Sequence, residues 1–206
     1  MITTQSQRNC VSHLEAAIDG TRIPAGTIQT LHEGKPLWVR YDLNRLRRTV
    51  SADAWRDRPP TMWRYRELLP VERDEDVVSL GETITPLVPC PKLGRRLGVE
   101  RLLIKDESRL PTGSFKARGM AVAISMARKL GVERVAAPSA GNAGGALAAY
   151  AARAGLEAFV FMPADTPAST STRRRCTGPG CSWSTGLSPT AGGSSGRGPR
   201  QWAGSI

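Results

Sequence analysis

An α/β fold, a parallel sheet with flanking helices, is predicted by the middle of this sequence, and three observations carry the prediction. Short apolar and β-branched runs alternate with longer alanine-rich runs between residues 101 and 163. A glycine, Gly131 or Gly155, stands where each longer run stops. Two unusual loops, 111–119 and 138–145, each follow a strand pattern and open a helix pattern. Strand, helix, strand, helix, strand with short loops implies parallel pairing through right-handed crossovers.

The elements follow in order. Residues 1–9 are polar and are expected to be loose. Asp19-Gly20 reads as a turn between short strands, and 35–42 as a strand after a Gly34 turn. Residues 42–54 read as a helix, with Leu43, Leu46 and Val50 at helical spacing. Arg58-Pro59-Pro60 interrupts it, and 63–70 reads as a short helix stopped by Pro70. Residues 87–89 form a short strand, 93–97 a short helix closed by Gly98, and 101–105 a buried strand. A helix over 114–130 takes Ser114 as its N-cap. A strand over 132–137 leads through the loop Ser139-Ala140-Gly141-Asn142 to a helix over 143–154 and a strand over 156–163. Gly144 and Gly145 weaken the first turn of that helix, a cost that makes sense if something must approach the backbone there. Residues 1–80 thus read as an amino-terminal segment, 81–170 as the α/β body, and 171–206 as a Gly/Ser/Pro/Arg tail without apolar period, expected to be disordered.

Composition narrows the function. The 206 residues are 40% hydrophobic, enough for a sizeable core. The formal charge of +11 invites a nucleic-acid partner, but its distribution argues against one. Five arginines (Arg173, Arg174, Arg175, Arg197 and Arg200) lie beyond Asp165, where no carboxylate follows, so nearly half the excess belongs to the tail. No aromatic residues interleave the run of three. Cys10, Cys90, Cys176 and Cys181 form no CxxC pair, and His13 and His32 add too few donors for a zinc site, so no metal is expected. With no signal-like leader and no apolar run of about 20 residues, a soluble cytoplasmic protein is expected.

The chemistry concentrates in Pro111-Thr112-Gly113-Ser114-Phe115-Lys116-Ala117-Arg118-Gly119. Lys116 falls in the first turn of a helix, where partial positive charge already gathers. An amine placed against that field gives up its proton more easily, and a neutral amine is what Schiff-base chemistry needs. Taken alone, such a lysine is an ordinary solvated residue, and Asn142 an ordinary capping asparagine.

The Ser-Phe-Lys-Ala-Arg-Gly run resembles the lysine motif of fold-type II pyridoxal-phosphate enzymes, the tryptophan synthase β-like group. The stretch from Lys105-Asp106-Glu107-Ser108 to Gly119, and Pro138-Ser139-Ala140-Gly141-Asn142-Ala143-Gly144-Gly145, are most similar to threonine synthase, with a resemblance covering about residues 35–168. The resemblance implies pyridoxal 5'-phosphate as cofactor, attached to Lys116, with Phe115 packed near its ring and Asn142 bonded to the ring hydroxyl. It implies that Ser139, Ala140 and Gly141 donate to the substrate carboxylate, and that Ser114 and Arg118 are structural. It implies conversion of O-phospho-L-homoserine and water to L-threonine and phosphate, and a possible homodimer. Threonine or serine dehydratases share the lysine motif and are the alternative; a non-catalytic basic fragment acting through its arginines is the third reading. Relatives carry a later glycine-rich loop for the cofactor phosphate, which Gly192-Gly193-Ser194-Ser195-Gly196 does not resemble, so the chain is expected to be an incomplete and inactive form. Residues from about 171 onward are expected to be read in a shifted frame. A new codon begun at the third base of each codon from Arg175 to Arg197 can spell Leu-Tyr-Gly-Ala-Arg-Val-Phe-Leu-Val-Asp-Gly-Leu-Val-Thr-Asp-Cys-Gly-Arg-Ile-Val-Arg-Glu-Gly. That string has a strand pattern, a turn and a helix start.

Overall fold

The computed structural model describes residues 9–162 and the backbone of 181–185. The expectation of a loose amino terminus and most of the tail reading fall outside the described residues.

Small antiparallel pairings build the amino-terminal part. Strands β1 (Val11–Ala16), β2 (Arg22–Pro24), β3 (Leu31–His32) and β4 (Lys35–Tyr41) form one sheet in the order β2-β1-β4-β3. The Asp19-Gly20 turn works as expected: Gly20 adopts φ +75°, and Asp19 accepts from the Thr21 amide at 2.9 Å. The predicted helix over 42–54 is instead two, α1 (Leu43–Thr49) and α2 (Ala52–Arg56), because Val50 is extended and Ser51 starts again as an N-cap, accepting from the Ala54 amide at 3.1 Å. A 3₁₀ segment, Met62–Leu68, follows. It is fixed by Glu67, which receives both prongs of Arg58 at 2.7 and 2.9 Å and the Trp55 indole at 3.1 Å.

The next pair departs from expectation. β5 (Leu87–Pro89) and β6 (Leu103–Lys105) pair antiparallel to each other, with the helix α3 (Pro91–Leu97) between them. The run over 101–105 is therefore neither a buried strand nor part of the parallel sheet; Leu103 and Ile104 are each nearly half exposed. The cause is partner choice. A three-residue strand that pairs with its antiparallel neighbour leaves both faces open, which an apolar run alone does not reveal.

The body is built by α4 (Lys116–Lys129), β7 (Arg134–Pro138), α5 (Asn142–Ala154) and β8 (Glu157–Met162). β7 and β8 are parallel, with α5 as the crossover. α4 and α5 pack against one another. α4 buries Ala117, Ala121, Ile124 and Ala127 at helical spacing, and α5 buries Leu147, Tyr150 and Ala151. Val135, Ala137, Ala158 and Val160 complete the core from the sheet. Gly155, at φ +73°, ends α5 where a left-handed residue is required. The sequence assigns no element beyond 170; the structure describes one, β9 (Cys181–Thr185), parallel to β8, giving the order β7-β8-β9. A parallel crossover within the described residues is thus confined to β7-α5-β8, and β6-α4-β7 is not one.

Candidate active site

The loop before α4 is set by one turn. The Gly113 amide donates to the Leu110 carbonyl at 2.8 Å, and Gly113 adopts φ +68°, which disfavours any other residue. Leu110 is buried and anchors the loop to the core. The chain then passes into α4, and Lys116 is its first residue. Ser114 is not the cap that the sequence suggests. The capping position falls to Phe115, already helical at φ −59°, ψ −15°, with no side-chain cap bond. The Ser114 hydroxyl is turned inward and buried, and both it and the Thr112 hydroxyl lack a hydrogen-bond partner among the described residues. Phe115 is 59% exposed, and the Lys116 ammonium lies over its ring, 4.4 Å from the centroid.

The second loop begins where β7 ends. The Ser139 amide continues the ladder to the Phe161 carbonyl at 2.9 Å. The Ser139 hydroxyl accepts from the Gly144 amide at 2.8 Å and from the Gly141 amide at 3.2 Å, so it closes the start of α5 from outside the helix. Ala140, Gly141 and Asn142 are exposed. Asn142 is the first residue of α5, as Lys116 is of α4. The two glycines that follow differ in what surrounds them. A Cβ on Gly144 would meet Val160 Cγ1 at 2.8 Å and the Ser139 side chain at 3.3 Å, so the close approach there comes from the protein itself. A Cβ on Gly145 would meet nothing within 4 Å among the described residues.

Sequence reasoning missed the polar network behind these loops. Arg118, two residues past Lys116, forms a bidentate pair with Glu107 at 2.7 and 3.0 Å. The Thr85 hydroxyl also donates to Glu107, and the Lys105 ammonium donates to the Thr85 carbonyl at 2.6 Å. The Arg118 hydrogen bonds hold the Glu107 carboxyl down at about 2 against its desolvation, helped by Thr85 and by the charges of Arg118 and Lys105. A second cluster centres on Glu82, which is fully buried. It accepts from Ser79 at 2.6 Å, from the Leu80 amide at 2.9 Å, from the Trp63 indole at 3.2 Å and from the Tyr150 hydroxyl. Burial pushes Glu82 upward, but the Ser79 and Tyr150 hydroxyls and the Leu80 amide outweigh it and leave the carboxyl below its usual range. Burial, followed by the hydrogen bond to Glu82, drives the Tyr150 phenol upward. One signal was legible: a tyrosine inside an alanine-rich, core-facing helix must find a partner for its hydroxyl.

Among the described residues no group of three or more potential metal ligands is found, and no helix is long and apolar enough to cross a membrane.

Comparison with known proteins supplies the context. Residues 78–191, more than half of the chain, match the family described as "Pyridoxal-phosphate dependent enzyme". The chain is similar to the threonine synthase of Methanocaldococcus jannaschii, 43% identical over 136 residues that make up 66% of this chain and 34% of that protein. It is similar to the threonine synthase of Synechocystis at 47% identity over 55% of this chain and 29% of that protein. Among solved structures, maize serine racemase is matched with a TM-score of 0.44 at 29% identity, over 50% of this chain and 31% of that one. The chain spans about a third of the length of the curated relatives it matches.

Proposed function

This chain belongs to the pyridoxal-phosphate dependent enzyme family, and from that membership we propose that it carries the lysine-bearing part of an enzyme of the threonine synthase kind. The observation that carries the reading is Lys116 itself, the first residue of α4, preceded in the chain by a loop whose Thr112 and Ser114 hydroxyls are buried with no partner among the described residues. Such hydroxyls are costly to leave unpaired, and they fit a polar group brought beside the lysine. The open space at Gly145 and the exposed Asn142 at the head of α5 fit the same group.

Lys116 would hold the cofactor covalently, Asn142 would bond its ring hydroxyl, and Phe115 would pack near the ring. Bound pyridoxal phosphate supplies an electron sink for carbanion chemistry next to a substrate amine. Once a substrate amine has displaced it, Lys116 Nζ would be free to move protons between substrate carbons; in this structure it lies over the Phe115 ring. The amides of Ala140 and Gly141 and the side chain of Ser139 are the group proposed for the substrate carboxylate. In this structure the Ser139 hydroxyl receives the Gly141 and Gly144 amides and so orients the loop, and the Gly141 amide would have to turn from Ser139 to reach a carboxylate. The reaction proposed for the enzyme is O-phospho-L-homoserine plus water giving L-threonine plus phosphate.

The test is reductive trapping. The chain is incubated with pyridoxal phosphate, treated with borohydride, and mapped by mass spectrometry. A pyridoxyl group concentrated on Lys116 and absent from Lys116→Ala supports the reading. Equal labelling of Lys92, Lys105 and Lys129 overturns it. Phosphate release from O-phospho-L-homoserine, compared with ammonia release from L-threonine or L-serine, separates the synthase from a dehydratase.

A further inference from the structure

We propose that Arg118 and Glu107 form a positioning clamp that holds the first turn of α4, and so the backbone of Lys116, against residues 83–107. The proposal rests on the reading of Lys116 as the cofactor-bearing lysine.

The need for a clamp follows from how α4 begins. A helix N-terminus carries partial positive charge and four amides without intrahelical partners. α4 places two cations, Lys116 and Arg118, in its first turn and has no carboxylate of its own there. No side chain caps it: Phe115 offers no acceptor, and the Ser114 hydroxyl is unpartnered among the described residues. By its own sequence this end should fray.

Glu107 supplies the missing anion from outside the helix. Its two oxygens meet Arg118 Nε and Nη2 at 2.7 and 3.0 Å, the planar fork that arginine makes and lysine cannot. Arg118 Nη2 also reaches the Thr83 carbonyl at 3.3 Å and the Thr85 hydroxyl at 3.4 Å. Lys105 ties the same Thr85 back to β6 through its carbonyl at 2.6 Å. Segments 83–85 and 105–107, about twenty residues apart in sequence, are thus both fastened to one side chain on α4. Arg118 and Glu107 are 30% and 23% exposed, sheltered enough for the pair to hold against solvent. Residues two apart on a helix do not face each other. The clamp therefore anchors one side of the turn and leaves the Lys116 side chain on another, over Phe115. Arg118 acts through the backbone and is a positioning residue, not a catalytic one.

The experiment uses the full chain as Arg118→Met, Arg118→Lys, Glu107→Gln and the swap of Arg118→Glu with Glu107→Arg. Amide hydrogen exchange is read at residues 115–119 and at 146–151, alongside trapping of pyridoxal phosphate at Lys116. In R118M, exchange at 115–119 is expected to rise about tenfold while 146–151 holds, as local opening without global unfolding requires. The Lys116 share of trapped cofactor, relative to Lys92 and Lys129, should fall with it. R118K should restore little, the charge swap should restore protection, and E107Q should act in the same direction as R118M and serves if that variant does not fold. Unchanged exchange at 115–119 in both R118M and E107Q, with trapping at Lys116 intact, overturns the clamp alone. Absence of trapping at Lys116 in the unsubstituted chain overturns the reading of the lysine, and the positioning role with it.

Discussion

Tyr150, near the middle of the alanine-rich helix α5, donates its hydroxyl hydrogen to Glu82, a carboxylate 68 residues earlier in the chain. Both side chains are fully buried, and the bond joins the segment before β5 to the helix that opens with Asn142. A buried carboxylate is tolerable only when its oxygens are occupied, and Ser79, Leu80, Trp63 and Tyr150 together occupy them.

Removing one of those donors gives the first prediction. Tyr150→Phe keeps the ring in the core and deletes only the hydroxyl. The expected loss is about 1–3 kcal/mol, the range for leaving a buried acceptor short of a partner. Urea unfolding followed by tryptophan fluorescence reads it. A loss within error would show that Ser79, Leu80 and Trp63 suffice.

Acid should unfasten the start of α4 in a defined window. Glu107 sits at about 2 in the folded chain, below its ordinary value of 4.5, because Arg118 hydrogen-bonds its charged form. A depressed folded value means that the unfolded chain binds the proton first on acidification. The contribution is therefore complete above about pH 4.5 and is lost progressively as pH falls toward about 2. Denaturation midpoints measured between those values should fall more steeply in the unsubstituted chain than in Glu107→Gln, which has no carboxylate to protonate. Parallel curves would refute the assignment.

The glycine pair gives a third prediction, with opposite signs at adjacent residues. Gly144→Ala drives a methyl to 2.8 Å from Val160 Cγ1, on a β-branched side chain locked in the core, and should cost about 1–3 kcal/mol. Gly145→Ala meets nothing within 4 Å among the described residues and should add up to about 1 kcal/mol through helix propensity. If the cofactor comes close at Gly145, that same variant should be more stable yet trap less pyridoxal phosphate on Lys116. Thermal melts and trapping yields on the two variants check both halves.

What the sequence shows and what it hides divide along physical lines. Lys116 in the first turn of α4 and the loop ending at Asn142 before α5 were legible to within two residues, because turn residues and helical spacing are local. So were the N-terminal turn at Gly20 and the short strand β5. The partner of β6 was not, since Leu103 and Ile104 look the same in an exposed antiparallel pair as in a buried parallel one. Ser114 misled because cap propensity assumes that the serine directly precedes the helix, whereas Phe115, itself with helical backbone angles, occupies the capping position before Lys116. The Arg118–Glu107 and Tyr150–Glu82 contacts join residues 11 and 68 positions apart, beyond the reach of any periodicity.

The tail carries the last prediction: beyond residue 170 the gene is expected to hold a single-base insertion or deletion. In the sequence as it stands, β9 is Cys-Ser-Trp-Ser-Thr, which lacks the near-continuous apolar run of a parallel strand covered on both faces. In the shifted frame the codons spanning residues 180–185 can spell Val-Phe-Leu-Val-Asp, the apolar run a parallel strand there would use. The run then meets an Asp-Gly turn, in the register that β9 occupies against Phe159, Val160 and Phe161. The nucleotide sequence around codons 165–206 decides it. Synonymous choices there must be those that permit the alternative string, such as a third-base G at the codon of Ser184 to make the aspartate. An incompatible codon at any of these positions, or a frame that no single-base change could restore to the relatives' continuation, overturns the shift and leaves β9 as a selected element of the sheet.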